Sequence, residues 1–389
     1  MDGPSIVPEL DDGCGRFRVR HFGVATGRRS SAFSFMRNVR DIVEQNRDIK
    51  VWNISQGSVR EIARNFMSPE GATLDELQSR FDDIVFVVAG TNQTKAGQEK
   101  IGAPADSINS LVVNATSFCG KTASYARQGP VLDFFKKPDV CAIGGDSDKR
   151  MPVCTATGQY LMAGTSFAAP WIARKMAYLM QVMGLTREVA KALIIDSAAG
   201  WDYRASPRRG YGRVPVRIED VVQSCDDEIK FTLTGTSEAY ATYNYGIPVP
   251  IAKKKHPYIA RVTLCYFPQC DRRQGVDYTS AEMDLHFGRI NDKGTIQPLD
   301  NNRQGEEGFM TTEEIARKNY RKWDNVKHIG EEPKENGRER KAYSTGMWGI
   351  KIRATRRGDG PDRKARALRF GVVVTLREIN GVNRIDDFI

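Results

Sequence analysis

The chain has 389 residues and a formal net charge of +10, and 40% of its residues are hydrophobic. This length is too great for one ordinary hydrophobic core and is typical of two domains. No segment approaches the roughly 18–20 consecutive apolar residues that span a membrane, and the first residues lack the basic and apolar regions of a signal peptide. The composition therefore argues against a membrane protein and against a secretory leader.

The seven cysteines are odd in number and scattered along the chain. Only Cys265 and Cys270 lie close together, and their spacing does not fit a zinc knuckle. We interpret all seven as reduced thiols, which predicts a cytoplasmic location. The sequence predicts no metal site and no cofactor.

Short apolar runs alternate with helical patterns over residues 16–199. Strands are predicted at residues 17–24, 49–55, 84–89 and 111–115. Helices are predicted where apolar residues recur at helical spacing, around residues 35–43, 74–81, 166–180 and 186–197, the last with Thr186 as its N-cap. This alternation predicts a parallel sheet that is covered on both faces.

The pattern changes near Cys225. From Lys230 onward, strands alternate with turn residues, and one helix is predicted near residues 312–322. The strands are expected at residues 231–233, 259–267, 283–287, 348–354 and 369–376. The predicted fold class is α/β, with a parallel-sheet domain over residues 1–224 and an antiparallel β-sandwich domain over residues 225–389.

Positive charge is concentrated in one part of the second domain. Residues 313–369 hold 17 Lys/Arg and 9 Asp/Glu, which accounts for +8 of the net +10. A basic region can attract nucleic acid or an acidic partner. Because acidic residues are interleaved throughout and no nucleic-acid-binding motif is present, a solvated region of mixed charge is the favoured interpretation.

The most informative motif is Gly-Thr-Ser-Phe-Ala-Ala-Pro at residues 164–170. It places Ser166 at the start of a predicted helix, where backbone N–H groups and the helix dipole favour negative charge. This is a suitable position for a serine nucleophile in acyl transfer. Such a serine also requires a general base and an acidic residue that orients the base.

Other motifs precede this serine. The strand near residues 51–54 leads into Ser55-Gln56-Gly57, an edge with which an extended peptide can pair. The buried strand at residues 84–89 delivers Asn92 at its carboxyl end, where parallel sheets carry their ligand crevice. Three further segments follow: Ala-Ser-Tyr-Ala-Arg-Gln-Gly-Pro at residues 123–130, Lys-Pro-Asp-Val-Cys-Ala at residues 137–142 and Thr-Ala-Thr-Gly at residues 155–158.

Five of these motifs resemble, in order, the landmarks of the subtilisin-like serine peptidases, the subtilase family. They extend over residues 51–170 and are together far more specific than an isolated Gly-x-Ser. The resemblance implies that Ser166 is the nucleophile and that Asn92 and the Ser166 backbone N–H form the oxyanion hole. It also implies that Ser55, Gln56 and Gly57 line the substrate cleft.

The resemblance has one local departure, because Thr91 separates Gly90 from Asn92 where the family has Gly-Asn. Either Asn92 reaches the site from a longer turn, or Thr91 faces the site; a simple turn-forming Asn92 is a third interpretation. The C-terminal half is similar to the β-domain of certain cytosolic bacterial subtilases, some of which pair with an AAA-type ATPase. This similarity implies a polypeptide substrate and such an ATPase as partners.

The family's catalytic aspartate and histidine are not found in their usual motifs, Asp-(Ser/Thr)-Gly and His-Gly-Thr. None of the four histidines is followed by Gly-Thr. Asp12 and His21 weakly resemble the two motifs, but they are nine positions apart, too few for the strand, turn and helix start between them. We assign residues 18–24 to the strand that follows the family's histidine helix, which leaves the sheet without a central strand.

Three explanations are consistent with this pattern: the Asp/His segment precedes the sequence as given, another chain supplies it, or the protein is a pseudo-peptidase. The leading hypothesis is a serine endopeptidase that forms an acyl-enzyme on Ser166 and is inactive as this chain alone. The alternative is a non-catalytic module that binds extended peptides or a partner protein. Nucleic-acid contact through residues 317–369 is a third, disfavoured hypothesis.

Overall fold

The computed structural model describes residues 8–24, 31–204, 206–237, 242–251, 255–299, 311–332, 339–357 and 367–389. Their contacts divide the chain into two compact units. The first unit comprises Met1–Val221 and Gln269–Tyr278, and the second comprises Val222–Pro268 and Thr279–Ile389. No helix in these described ranges is long and apolar enough to cross a bilayer.

The elements up to residue 222 begin with alternating helices and strands and end with three helices. In chain order they are α1 (Ala32–Gln45), β1 (Val51–Ile54), α2 (Pro69–Arg80), β2 (Val85–Ala89), β3 (Leu111–Thr116), β4 (Val140–Ile143), β5 (Met151–Thr155), β6 (Gly158–Met162), α3 (Thr165–Ala177), α4 (Arg187–Ala199) and α5 (Glu219–Val222). A π-helical turn, Tyr178–Val182, continues α3.

The four strands β1 to β4 form one parallel sheet in the order β1-β2-β3-β4. Every residue of β2, β3 and β4 is buried, as expected for strands covered on both faces. Helix α3 packs against all four strands. Because the strands are parallel, their carboxyl ends meet at one edge of the sheet, and this edge positions the candidate site.

Side-chain caps explain where the helices begin. The Thr186 hydroxyl accepts the Val189 N–H at the start of α4, which confirms the predicted N-cap. Ser68 caps α2 by accepting the Gly71 N–H at 2.9 Å, and Pro69 occupies the first helical position, where its missing N–H costs nothing.

The strand predicted at residues 17–24 is wrong. These residues have no regular secondary structure, and although β1 is an edge strand of the sheet, the segment does not form a ladder with it. Side chains hold the segment instead: the Phe22 ring lies 5.7 Å from the Trp52 ring, and Arg20 pairs with Asp48 at 2.9 Å.

A short segment from later in the chain, Gln269–Tyr278, belongs to the first unit. The Tyr278 hydroxyl donates to the buried Asp75 carboxylate at 2.7 Å, and the Arg272 guanidinium donates to the Met67 carbonyl at 2.7 Å. These bonds join residues about 200 positions apart, which local sequence patterns do not reveal.

The second unit consists mainly of antiparallel strands. Its elements are β7 (Glu228–Ser237), β8 (Thr242–Pro248), β9 (Lys255–His256), β10 (Tyr258–Tyr266), β11 (Ala281–Ile290), β12 (Ile296–Pro298), α6 (Glu313–Tyr320), β13 (Val326–Gly330), β14 (Arg340–Lys341), β15 (Met347–Arg356), β16 (Leu368–Glu378) and α7 (Ile385–Phe388). Two four-stranded sheets, β13-β10-β16-β7 and β12-β11-β15-β8, share one hydrophobic core. The predicted fold class, a parallel-sheet α/β region followed by an antiparallel β-sandwich, is confirmed.

Within the described part of residues 313–369, many basic side chains have acidic partners. Helix α6 carries two i,i+4 pairs, Arg317 with Glu313 and Lys318 with Glu314. In the buried core of the unit, Lys327 pairs with Glu282 at 2.7 Å. Residues 333–338 and 358–366 of this stretch lie outside the described residues. The described pairs fit the mixed-charge interpretation.

Candidate active site

The carboxyl edge of the parallel sheet brings Ser166 and Ser55 together. Ser55 directly follows β1, and Ser166 lies in the first turn of α3. The Ser166 hydroxyl donates to the Ser55 carbonyl at 3.1 Å, and the Ser55 hydroxyl donates to the Ser166 carbonyl at 3.4 Å. Two of the residues predicted from separate motifs, 111 positions apart, are therefore in direct contact.

Asn92 lies on the other side of the start of α3. Its side-chain oxygen accepts the Thr165 backbone N–H at 3.0 Å and the Thr165 hydroxyl at 2.9 Å. The side-chain Nδ2 therefore points away from Thr165 and lies 3.1 Å from the position a Cβ atom would occupy on Gly164. The two bonds from Thr165 thus fix the amide, and its NH₂ lies beside the serine turn.

The Ser166 backbone N–H is a second donor at this position. It belongs to the first turn of α3, where N–H groups have no acceptor within the helix. The N-cap, Gly164, has no side chain that could compete for these groups, and its own N–H donates to the Gly144 carbonyl at the end of β4, at 3.1 Å. The Thr165 N–H is bonded to Asn92 and the Phe167 N–H to the Gly164 carbonyl, so the Ser166 N–H is the first of these donors that has no acceptor among the described residues.

The structure decides between the alternatives for the extra residue Thr91. Thr91 is buried and has a φ of 68°, a left-handed conformation that is costly for a β-branched residue. Its hydroxyl donates to the Gly90 carbonyl at 2.6 Å and accepts the Gly102 N–H at 3.0 Å. Thr91 thus lengthens the turn, and Asn92 is the residue that reaches the start of α3.

Gly57 packs against Thr91. A Cβ atom on Gly57 would lie 2.4 Å from the Thr91 Cγ2 methyl, well inside van der Waals contact. The three predicted cleft residues Ser55, Gln56 and Gly57 are exposed after the end of β1. The absence of a side chain at Gly57 thus lets this exposed edge pass close to the turn that carries Asn92.

We expect Gly57→Ala to destabilise this region by about 1–3 kcal/mol, because the new methyl overpacks against Thr91. The double variant Gly57→Ala/Thr91→Ser removes the opposing methyl and keeps the hydroxyl, so it is expected to recover most of the loss. Urea unfolding of the wild type, both single variants and the double variant measures the coupling. Simple additivity of the two single changes would disprove the contact.

Among the described residues, neither a histidine nor a carboxylate forms a hydrogen bond with Ser166; the partner of its hydroxyl is the Ser55 carbonyl. His21 is the one histidine of the first unit, and it is exposed. The other three belong to the second unit, where His286 pairs with Asp284 and His328 bonds Thr263. Burial and the charge of Arg289 lower the pKa of the remaining one, His256, to about 4.

Asp12 has a structural partner, not a catalytic one. Its carboxylate is buried and forms a bidentate salt bridge with the Arg174 guanidinium on α3, with N–O distances of 2.6 and 2.7 Å. The Cys14 backbone N–H donates to the same carboxylate at 3.0 Å. No group of three or more potential metal-ligating side chains occurs in the part of the chain that the structure describes.

Residues that the sequence reasoning did not single out support the same edge. The Tyr125 hydroxyl donates to the carbonyls of Gly144 and Gly145, at 3.2 and 2.7 Å, directly beside the loop that receives Gly164. Ala126 pairs with Asn92 as an isolated antiparallel bridge, and Arg127 is buried next to it. All three belong to the Ser-Tyr-Ala motif at residues 124–126 or directly follow it. This motif was therefore the sequence feature that could have identified them as supporting residues.

The geometry thus consists of an exposed peptide-pairing edge, a serine at a helix start and a fixed amide beside it. Residues 18–217, just over half of the chain, match the family model of the subtilase family, Peptidase S8. The chain belongs to the subtilase family.

The chain is also similar to solved structures of proteases. The chain is 21% identical to a mutant of the protease domain of PatA (TM-score 0.40; 50% of this chain, 66% of that one) and 21% identical to the prenylagaramide maturation protease PagA (TM-score 0.40; 52% and 70%). It is 16% identical to the epidermin leader peptide processing serine protease EpiP from Staphylococcus aureus (TM-score 0.41; 52% and 57%). No curated protein matches the chain significantly.

Proposed function

We propose that this chain provides the nucleophile and oxyanion hole of a serine endopeptidase. The Ser166 oxygen attacks the peptide carbonyl carbon, and the tetrahedral oxyanion accepts hydrogen bonds from the Asn92 amide and the Ser166 N–H. The serine proton passes to the base that completes the site and from it to the amine as the C–N bond breaks, and water then hydrolyses the acyl-enzyme. The single observation that carries this proposal is the Asn92 amide, fixed by Thr165 beside the serine turn.

The serine hydroxyl needs a base for this reaction, and its partner in the described structure is a carbonyl oxygen, which does not accept a proton at neutral pH. We therefore propose that the chain alone does not hydrolyse peptides, and that a segment with an aspartate and a histidine completes the site. Such a segment has a place to pair, because β1 pairs with β2 alone among the described strands.

Labelling by a peptidyl diphenyl phosphonate tests this proposal. The full chain is incubated with the probe alone, and then with a supplied segment that carries Asp-Ser-Gly and His-Gly-Thr motifs; mass spectrometry identifies the labelled residue. We expect labelling of Ser166 only with the supplied segment, and none in Ser166→Ala. Absence of labelling under both conditions would overturn the catalytic proposal.

A second candidate is a pseudo-peptidase that holds extended peptides without cleaving them. It is favoured by the exposed edge Ser55-Gln56-Gly57 together with the absence of a base beside Ser166 among the described residues. Tight peptide binding in the presence of the supplied segment, without cleavage or labelling, would favour this function over the first.

The cellular setting is also a proposal. All seven cysteines are free, which suits a reducing cytoplasm. An AAA-type ATPase as partner rests on the resemblance of the C-terminal half to certain cytosolic bacterial subtilases. A polypeptide, and not nucleic acid, is the proposed substrate. Co-purification of the tagged chain with an ATPase subunit from its own host would test the partner.

A further inference from the structure

Two loops extend from the carboxyl edge of the sheet beside the candidate site. The first wall, residues 58–62, follows the exposed edge that ends at Gly57. The second wall, residues 98–103, follows the turn that carries Asn92. Backbone bonds join the walls: the Ser58 N–H donates to the Ala103 carbonyl at 2.7 Å, and the Ile62 N–H donates to the Ile101 carbonyl at 2.9 Å.

The buried Arg127 side chain reaches both walls. Its guanidinium donates to the Val59 carbonyl at 2.9 Å and to the Ser58 carbonyl at 3.4 Å on the first wall. It also donates to the Gln98 side-chain oxygen at 2.8 Å and to the Lys100 carbonyl at 3.4 Å on the second wall. A rigid fork of donors suits such multiple acceptors, and a lysine ammonium does not reproduce it.

The backbone around Arg127 is joined to the candidate oxyanion donor. The preceding residue, Ala126, bridges Asn92, and the following residue, Gln128, bridges Lys100. The Gln93 N–H donates to the Tyr125 carbonyl at 2.8 Å. The backbone on either side of Arg127 is therefore joined to Asn92 and to the second wall.

We propose that Arg127 is a positioning residue that fastens the two walls, so that Gly57 and Asn92 keep the spacing that an extended peptide requires. Its role toward peptides rests on the proposed function, but its effect on the walls does not. The proposal predicts a change in local loop stability and peptide affinity that is distinct from a general loss of stability.

Arg187 offers a matched control. It is also a buried arginine, and its guanidinium donates to three backbone carbonyls, those of Gln78, Phe81 and Ile84, at 2.6–2.9 Å. Ile84 directly precedes β2, so Arg187 lies at the amino end of the strand whose carboxyl end leads to Asn92. Arg187→Lys is thus expected to disturb the unit to a similar degree without disturbing the walls.

Hydrogen–deuterium exchange of the full chain tests the proposal directly. We expect Arg127→Lys to accelerate amide exchange about tenfold or more in both walls, because hydrogen bonds from a charged donor to partly buried acceptors are lost. Arg187→Lys should accelerate exchange around residues 78–84 instead. Unchanged exchange in either wall of Arg127→Lys would overturn the proposal, whatever the protein's function.

Peptide binding separates this inference from the proposed function. Fluorescein-labelled, unfolded casein is titrated by anisotropy against Ser166→Ala, with and without the arginine changes, so that cleavage does not interfere. We expect about tenfold weaker binding with Arg127→Lys, the equivalent of one charged hydrogen bond, and little change with Arg187→Lys. Faster exchange in the walls with unchanged casein affinity would overturn the positioning role of Arg127. If Ser166→Ala binds no casein, the result counts against the proposed peptide site, and the exchange experiment alone then decides whether Arg127 fastens the walls.

Discussion

Asn92→Ala is expected to slow phosphonylation of Ser166 by about 10²–10³ once the base is supplied, the range found when subtilisin itself loses such a donor. The physical reason is that the Asn92 amide is already oriented by its two bonds from Thr165, so it stabilises developing negative charge without reorganisation. The measurement is the second-order rate constant for labelling by the peptidyl phosphonate in the presence of the Asp/His segment.

Two controls make this result specific. Asn92→Asp keeps the acceptor for Thr165 but replaces the NH₂ donor with a second oxygen, so it should slow labelling at least as much as Asn92→Ala. Lys95→Ala, in the exposed loop that follows, should leave the rate unchanged. If Asn92→Ala labels as fast as the wild type while the protein remains folded, Asn92 is a turn residue and not an oxyanion donor.

Asp12→Asn is expected to destabilise the first unit by about 3–5 kcal/mol, because it leaves the buried Arg174 guanidinium without its counter-charge. Both side chains are at most 5% exposed and are joined by two short bonds. The pair also fastens the segment around residue 12 to α3, the helix that begins with the candidate nucleophile. Urea unfolding, followed by tryptophan fluorescence, measures the loss.

The same pair predicts a dependence on pH. Burial alone would raise the pKa of Asp12, but the hydrogen bonds from Arg174 and from the Cys14 N–H, together with the positive charges of Lys175 and Arg174, outweigh it, and the pKa lies below its ordinary value. The stabilisation is therefore fully present above the unfolded-state pKa, near 4, and is lost as the pH falls through the lower folded-state value. The wild type should lose this contribution in acid, whereas Asp12→Asn should show a correspondingly flatter profile.

The exposed pair Arg40–Glu76 provides the comparison for this change. Its side chains are 40% and 53% exposed, so Glu76→Gln is expected to cost at most about 1 kcal/mol. A loss from Asp12→Asn no larger than that of Glu76→Gln would contradict the structural role of Asp12. It would then reopen the question of whether Asp12 has a catalytic role.

Local sequence patterns predicted most of the elements. Continuous apolar runs indicated β2 and β3, helical spacing indicated α1 to α4, and a threonine N-cap located the start of α4. These features depend on neighbours within a few positions, so they can be read from a single sequence. The prediction at residues 17–24 was wrong because local patterns do not show whether a segment forms a ladder with a neighbouring strand or is held, as here, by side-chain contacts alone.

The candidate site was found from the order of its motifs, and its geometry was not. The order of the landmarks identified Ser166, Asn92 and residues 55–57. The sequence left open whether Thr91 or Asn92 reaches the site, because that choice depends on a left-handed backbone at Thr91 and on its bonds to Gly90 and Gly102. Arg127 was missed because its four acceptors lie 27–69 positions away.

By itself, then, the sequence determined the family, the nucleophile candidate and the absence of the family's histidine motif from these 389 residues. The tertiary structure decided how Asn92 is oriented, that Asp12 belongs to Arg174, and that residues 269–278 pack with the first unit. The physical reason is that motifs record residue types at short spacing, whereas hydrogen bonds between buried groups join atoms that only the folded chain brings together.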